Sequence, residues 1–162
     1  DRLSGPAAVV DVTESARRDR DYVATVSDLE GYEQTHGPIG PGHVVLIRTG
    51  WGQFWPDAEK YLGTAKRGDI ENLHFPGLSA EAAQWLAERG IHLAGIDTAS
   101  IDPGVSKDFA AHQVLAAAGI SNLENVANLD ALPPAGAHII AAPMKIGGGS
   151  GAPCRIIGLV PG

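Results

Sequence analysis

The chain has 162 residues, of which 44% are hydrophobic and 19% are charged, so it can form one globular domain with a real core and is not expected to be disordered. A formal net charge of −7, with no long Lys/Arg cluster, argues against a nucleic-acid or anionic-membrane partner. The single cysteine, Cys154, excludes an internal disulfide framework and a zinc site built from cysteines.

Targeting signals are not evident. No apolar run approaches the length of a membrane-spanning helix, and the first ten residues lack the pattern of a signal peptide. We therefore expect a cytoplasmic protein. The same features would fit an exported protein whose leader is absent from this sequence.

Apolar runs bounded by Gly and Pro predict buried strands at 7–12, 44–49, 91–96, 138–142 and 154–160. Helices are expected from about Ser27 to His36, from Ser79 to Arg89 and near 108–118, with Ser27, Ser79 and Asp108 as their N-caps. A strand, a capped helix and another strand in this spacing predict a crossover with parallel pairing. The fold class is therefore α/β, with residues 1–162 forming a single domain.

The segment 51–78 has no clear periodicity, and a loop of this length often acts as a lid or a pocket wall. Its aromatic residues and one histidine could line a substrate pocket, or they could simply pack beneath the loop. These residues are Trp51, Phe54, Trp55, Tyr61, His74 and Phe75.

The stretch 91–124 carries the side chains best suited to catalysis or metal binding. Asp97 ends a predicted strand, Asp102 lies in the next turn, His112 begins a helix, and Glu124 follows twelve residues later. Carboxylates and an imidazole where a strand ends and a helix begins could form a metal or acid–base site. The spacing alone favours a helix cap, a turn residue and a solvated pair, because scattered polar residues are a weak signal.

Two other chemistries are disfavoured by local patterns. The glycine-rich loop 145–151 lacks the Gly-Lys-Ser/Thr ending of a phosphate-binding loop, and no helix is predicted after it. No Gly-x-Ser-x-Gly pattern surrounds any serine, and Cys154 lies in a predicted strand, which argues against a nucleophilic hydrolase.

Four segments in this order cover most of the chain and together carry a family resemblance. They are IRTGW (47–51), HFPGLSAEAAQWLAERGIHLAGIDTASIDPG (74–104), HQVLAAAGISNLENVANLDALP (112–133) and KIGGGSGAPCRIIGL (145–159). The combination resembles the cyclase-family metal-dependent hydrolases, which include bacterial kynurenine formamidase and isatin hydrolase.

The resemblance implies a compact swivelling β/β/α-type domain with a mixed sheet or barrel flanked by helices. It also implies a divalent metal, Zn²⁺ or Mn²⁺, that activates water to hydrolyse an amide, formamide or cyclic amide. By the same resemblance the metal ligands are His112 and Glu124, the supporting residues are Asp97, Ser100 and Ser150, and the pocket for a small aromatic substrate includes Trp51, Phe54 and Phe75. A homodimer or homotetramer is expected.

One departure from the family qualifies this expectation. Members carry an early HxGTHxDxPxH motif, which supplies most metal ligands and the general-base histidine, and the sequence does not contain it. In the family this motif lies upstream of the position of Asp1, so the general-base histidine is expected there and no catalytic residue is identified in this chain. Activity would then need that segment; alternatively, the protein is a non-catalytic relative that keeps the fold as a binding or structural module.

Overall fold

The computed structural model describes residues 2–162, which form one mixed sheet flanked by helices. The strands are β1 (Ser4–Asp11), β2 (Val23–Ala24), β3 (Val44–Arg48), β4 (Gly77–Leu78), β5 (Leu93–Ile96), β6 (Ser121–Leu123), β7 (Ala135–Pro143) and β8 (Cys154–Leu159). The helices are α1 (Thr13–Arg18), α2 (Val26–His36), α3 (Ala58–Leu62), α4 (Ala80–Glu88) and α5 (Ala110–Ala117), with 3-10 turns at Trp51–Phe54, Ile70–Asn72 and Leu129–Ala131.

Asp1 lies outside the described residues. The described residues do not test the general-base histidine that the family resemblance implies. It stays a prediction.

The main sheet has the strand order β6-β5-β3-β1-β7-β8. Strands β1, β3, β5 and β6 are parallel, whereas β7 pairs antiparallel with β1 and β8 antiparallel with β7. Strands β2 and β4 form a separate parallel pair. The predicted mixed α/β fold is confirmed, as is the parallel pairing of β3 with β5. The carboxyl ends of four parallel strands therefore meet at one edge, where open α/β sheets form their sites.

Strands β1, β3 and β5 are buried on both faces of the sheet, because alternate side chains of a strand point to opposite sides. On one face Val10, Val45 and Ile96 pack with residues of α2, α4 and α5. On the other face Val9 and Leu46 are covered by inward-facing residues of β7 and by the segment 126–132. Near-continuous apolar runs in β1, β3 and β5 are the sequence signature of this two-sided burial.

The helix starts agree only in part with the predicted caps. Ser79 begins α4 as predicted, since its Oγ accepts a hydrogen bond from Ala82 N at 3.0 Å. The prediction of Ser27 for α2 is wrong: the N-cap is Thr25, whose backbone N and Oγ1 donate to the Asp28 carboxylate at 2.7 and 2.8 Å. Thr25 and Ser27 each begin a sequence that could form a capping box. Only the three-dimensional path of the chain selects Thr25.

The prediction of Asp108 as the cap of α5 is also wrong. The free N–H groups of Ala111 and His112 donate instead to the buried carboxylate of Asp102, at 2.8 and 3.1 Å. Phe109 occupies the N-cap position, and it is exposed although it is a large apolar residue. The remote carboxylate satisfies the helix terminus, so a local cap is unnecessary.

Two segments outside the main predicted elements contain short helices. Segment 13–21 holds α1, and segment 51–78 holds α3, two 3-10 turns and β4. Cys154 is half-buried and packs against the core on the β7 side. None of the helices in residues 2–162 is long and apolar enough to cross a membrane.

Candidate functional site

His112 is held by a buried carboxylate at the start of α5. Its Nδ1 lies 2.6 Å from Oδ2 of Asp102, and Asp102 is only 2% exposed. A carboxylate in this position accepts the Nδ1 proton, so Nε2 of the neutral ring carries a free lone pair. This is the orientation that a metal-binding imidazole requires.

Glu124 faces that lone pair from just beyond β6. Its Oε1 lies 3.1 Å from Nε2 of His112. The side-chain amide of Asn122 donates to both atoms, at 3.2 Å to Nε2 and 3.0 Å to Oε1, and the backbone N of Ile101 donates to Oε1 at 3.1 Å. In the neutral ring and the ionised carboxylate, Nε2 and Oε1 are both acceptors. Such a contact calls for a cation or a second imidazole proton between the two atoms.

The two facing atoms fit part of a metal site. Imidazole nitrogen and carboxylate oxygen are common ligands of Zn²⁺, and a catalytic zinc site usually has at least three protein ligands. Across residues 2–162, no group of three or more His, Cys, Asp or Glu side chains is arranged to hold a metal ion. His112 and Glu124 therefore present two potential ligand atoms, fewer than such a site uses.

Asp97 does not contact this pair among the described hydrogen bonds. Its carboxylate accepts from Thr49 N and Oγ1 at 2.9 and 2.6 Å, from Gly50 N at 2.8 Å and from Trp51 N at 3.2 Å. Burial raises the pKa of the Asp97 carboxyl, and the hydrogen bonds from Thr49 and Gly50 oppose that rise. Asp97 thus shapes the turn after β3, and His112 is supported by Asp102. The supporting role that the resemblance implies for Asp97 stays a prediction.

The two serines differ in their relation to the site. The Oγ of Ser100 accepts from Asp102 N at 3.2 Å, so Ser100 supports the turn that carries Asp102. Ser150 is exposed in the loop between β7 and β8, and no described hydrogen bond joins it to His112 or Glu124. The fold therefore connects Ser100 with the cluster and leaves Ser150 unconnected.

A cleft of about 1300 Å³ opens at the carboxyl edge of β3 and β5. Four of the six aromatic or histidine candidates line it: Trp51, Phe54, Trp55 and Tyr61. Phe75 is instead buried against Trp51 and Tyr61, so it packs beneath the loop and does not line the cleft. His74 does not line the cleft; its Nδ1 pairs with the Asp21 carboxylate at 2.8 Å.

Asn125 links the cleft to the His112–Glu124 pair. It lines the cleft and directly follows Glu124, whereas neither His112 nor Glu124 belongs to the cleft lining. The hydroxyl of Tyr61 lies 2.9 Å from Asp97 O and 3.0 Å from Asn125 Oδ1. Burial, together with the charges of Asp97 and Glu124, raises the pKa of Tyr61 to about 12. The cleft therefore contains a phenol that stays neutral at ordinary pH.

Sequence reasoning gave no site role to Asn122 and only a vague one to Asp102. An asparagine near a predicted turn carries no distinguishing signal, because that residue type is common in turns for local reasons. The sequence contains a weak signal for the role of Asp102. A carboxylate ten residues before a histidine in a helix can cap the helix and also accept a hydrogen bond from the imidazole.

The fold and these contacts define an α/β protein with a histidine–carboxylate pair at the carboxyl edge of a mixed sheet. A family model described as "putative cyclase" matches residues 1–103, and the chain belongs to this cyclase family. It is 34% identical to isatin hydrolase of Roseibium aggregatum over 99% of its length, and 32% identical to kynurenine formamidase of Salinibacter ruber over 97%.

Solved structures give the same result. Isatin hydrolase A from Ralstonia solanacearum matches 99% of the chain at 38% identity with a TM-score of 0.90. An isatin hydrolase bound to the product analogue thioisatinate matches 99% at 34% identity with a TM-score of 0.91. The predicted fold and family are thereby confirmed. The chain spans 61% of the Roseibium relative and 63% of the Salinibacter relative.

Proposed function

We propose that this chain carries part of the active site of a hydrolase that cleaves a C–N bond in an amide, formamide or cyclic amide. His112 and Glu124 would contribute two ligands to a divalent cation, Zn²⁺ or Mn²⁺. The observation that carries the proposal is the 3.1 Å contact between Nε2 of His112 and Oε1 of Glu124, two acceptors that a cation would join. The names of the relatives, isatin hydrolase and kynurenine formamidase, support the reaction class.

The chain's own residues would prepare this half of the site. Asp102 keeps the Nδ1 proton of His112 in place, which leaves the Nε2 lone pair for a cation. The Asn122 amide, which donates to Nε2 and to Oε1 of Glu124, would release Nε2 when the cation binds. A bound cation would supply Lewis acidity and lower the pKa of water. Water adds to the carbonyl carbon, the C–N bond breaks, and the nitrogen leaves with a proton.

The cleft favours an aromatic substrate. Trp51, Phe54 and Trp55 line it, and the Tyr61 phenol stays neutral and can act as a hydrogen-bond partner there. Aromatic rings bury large area and interact edge to face with one another. An aryl formamide or an isatin-like ring is therefore the substrate class that we propose.

Metal binding and turnover test the proposal together. The wild-type chain and the variants His112→Ala and Glu124→Ala are titrated calorimetrically with Zn²⁺ and with Mn²⁺, and each is assayed with isatin and formanilide. We expect both substitutions to weaken binding of the same cation by at least about tenfold, since each removes a ligand. His138→Ala is the matched control, because His138 is exposed on β7. Affinities equal to that of wild type in both variants would contradict the ligand assignment.

A second candidate is a non-catalytic relative that keeps the fold as a binding module. The observation that favours it is that residues 2–162 offer the two potential ligand atoms and no group of three metal-binding side chains. The same experiments discriminate the two candidates. Binding of an aryl amide that does not depend on Zn²⁺ or Mn²⁺, and that is unchanged in His112→Ala and Glu124→Ala, would favour the binding module.

A further inference from the structure

Phe109 has an unusual backbone conformation directly before α5. Its φ of 52° and ψ of 46° lie in the left-handed region. Bulky side chains rarely occupy this region, and the conformation costs about 1–3 kcal/mol in a non-glycine residue. Residues held in this way cluster at functional sites, so the conformation needs a reason.

The surrounding contacts hold this conformation from both sides. The backbone N of Phe109 donates to Ser106 Oγ at 3.2 Å, and its carbonyl accepts from Gln113 N at 3.0 Å. The Asp102 carboxylate holds the next two free N–H groups of the helix, those of Ala111 and His112. The turn is therefore well determined without any contribution from the phenyl ring.

Neither the turn nor core packing explains the choice of phenylalanine. Asparagine and glycine adopt this conformation with less strain, and both are good residues at a helix N-terminus. The residue is 53% exposed, so burial of its ring does not offset the free-energy cost of the backbone conformation. What the ring does contact is the imidazole of His112: the ring centroids are 6.1 Å apart and the planes meet at 82°.

We infer that Phe109 is a specificity-determining residue that forms an aromatic wall beside the His112–Glu124 pair and contacts the aryl ring of the substrate. The inference rests on the proposed function and deepens it by assigning a contact for the aryl group outside the cleft. The phenyl ring lies roughly perpendicular to the His112 ring, and the side chain keeps enough exposed surface to meet a second aromatic ring edge to face.

Two ligands that differ only in aromaticity provide the test. Formanilide and N-cyclohexylformamide carry the same formamide on a flat aryl ring and on a saturated ring. Each is titrated into the chain in the presence of Zn²⁺, and the imidazole Cε1–H signal of His112 is followed by NMR. The dissociation constants give a ratio of aryl to cyclohexyl preference that does not depend on turnover.

The variants separate the ring from the backbone conformation. Phe109→Tyr keeps the aromatic ring, Phe109→Leu keeps an apolar side chain, and Phe109→Asn suits the left-handed backbone but has no ring. Val105→Ala is the control, because Val105 is a 46% exposed apolar residue in the same loop. We expect wild type, Phe109→Tyr and Val105→Ala to prefer formanilide. The Leu and Asn variants should lose about threefold to tenfold of that preference, the usual contribution of an aromatic pair.

Thermal unfolding adds a second readout. Phe109→Asn should unfold at a temperature no lower than wild type, because it relieves backbone strain while losing ligand preference. An unchanged ratio in the Leu and Asn variants would overturn the inference. So would a wild-type chain in which formanilide leaves the His112 signal unmoved. The expected ratios measured without Zn²⁺ and in the Glu124→Ala variant as well would sustain the role of Phe109 and count against the proposed metal-dependent enzyme.

Discussion

The buried carboxylate of Asp102 lies 2.6 Å from Nδ1 of His112, and it also accepts the backbone N–H of that same histidine at 3.1 Å. One side chain thus caps the start of the helix and orients the imidazole that the helix carries. A shift of the helix would change both roles together, because both carboxylate oxygens of Asp102 accept hydrogen bonds from the first turn of the helix. Stability and ligand orientation are therefore coupled at this residue.

Replacing Asp102 with alanine should reduce both properties. The substitution leaves two helix N–H groups without their acceptor and frees the ring of His112, so we expect a loss of about 2–3 kcal/mol in the free energy of unfolding. Affinity for Zn²⁺ or Mn²⁺ should fall by about 10- to 100-fold, as for other residues that orient a ligand. Chemical denaturation and calorimetric titration measure the two effects.

Asp108→Ala is the matched control for Asp102→Ala. Asp108 is the cap that local sequence predicts, yet its carboxylate accepts only from Ser106 Oγ, at 3.2 Å, and is exposed. We expect a change within about 0.5 kcal/mol, the usual range for a surface substitution. A larger loss for Asp108→Ala than for Asp102→Ala would contradict the helix cap described here.

Gly77 is a point of close backbone approach behind the site. A Cβ at this position would lie 2.1 Å from Pro103 N and 2.5 Å from the carbonyl carbon of Asp102. Gly77→Ala must therefore displace the turn that carries Asp102, and we expect at least about 2 kcal/mol of destabilisation together with weaker metal binding. Denaturation and metal titration of the same preparation test both.

Gly31→Ala is the opposite case and serves as its control. Gly31 is exposed within α2, and a Cβ there would meet nothing within 4 Å. Alanine should raise the free energy of unfolding by about 0.5–1 kcal/mol, because glycine is disfavoured inside a helix. If both alanines had similar effects, the close packing of β4 on the Asp102 turn would be refuted.

The Asp97 carboxylate should not tolerate conversion to an amide. Each of its oxygens accepts two hydrogen bonds from residues 49–51, so an amide nitrogen would face donors in either orientation of Asp97→Asn. We expect a loss of about 2–3 kcal/mol in stability. Thr49→Val, which removes one hydroxyl, should cost only about 1 kcal/mol. An Asn variant as stable as wild type would show that the turn does not depend on the carboxylate.

The alkaline stability of the protein should depend on Tyr61. Its pKa is raised from 10.0 to about 12, so the folded state favours the neutral phenol. That contribution is fully present below pH 10, and it is lost as the pH rises toward 12. Tyr61→Phe should therefore show a shallower loss of stability over this range than wild type. A phenolate absorbance that appears near pH 10 in wild type and is absent from the variant would contradict the raised pKa.

Local chemistry made parts of this fold predictable. The strands follow from apolar runs between Gly and Pro, since burial on both faces leaves a continuous apolar run. Ser79 is a correct cap because the acceptor and the donor, Ala82 N, are only three residues apart. Where partners are distant the prediction was wrong: α5 is capped from Asp102, nine residues before Ala111, and the local candidate Asp108 is not used.

Pairing His112 with Glu124 depended on the family resemblance, because their spacing alone favoured ordinary roles. Parallel pairing of β5 with β6 brings Glu124 to the edge of the sheet, where it meets the ring of His112. The exposure of Phe109 could not be predicted, since helical periodicity takes no account of a left-handed residue at the helix start.

The sequence by itself determined the α/β class and the parallel crossover, because these follow from apolar patterning. The choice of His112 and Glu124 as proposed ligands came from the family resemblance. Only the tertiary structure decided which carboxylate serves which partner. Asp97 contacts Thr49, 48 residues away, and Asp102 contacts His112, because strand register and helix position set those distances. Hydrogen bonds extend only about 3 Å, so such partners are assigned by the packed chain and not by local pattern.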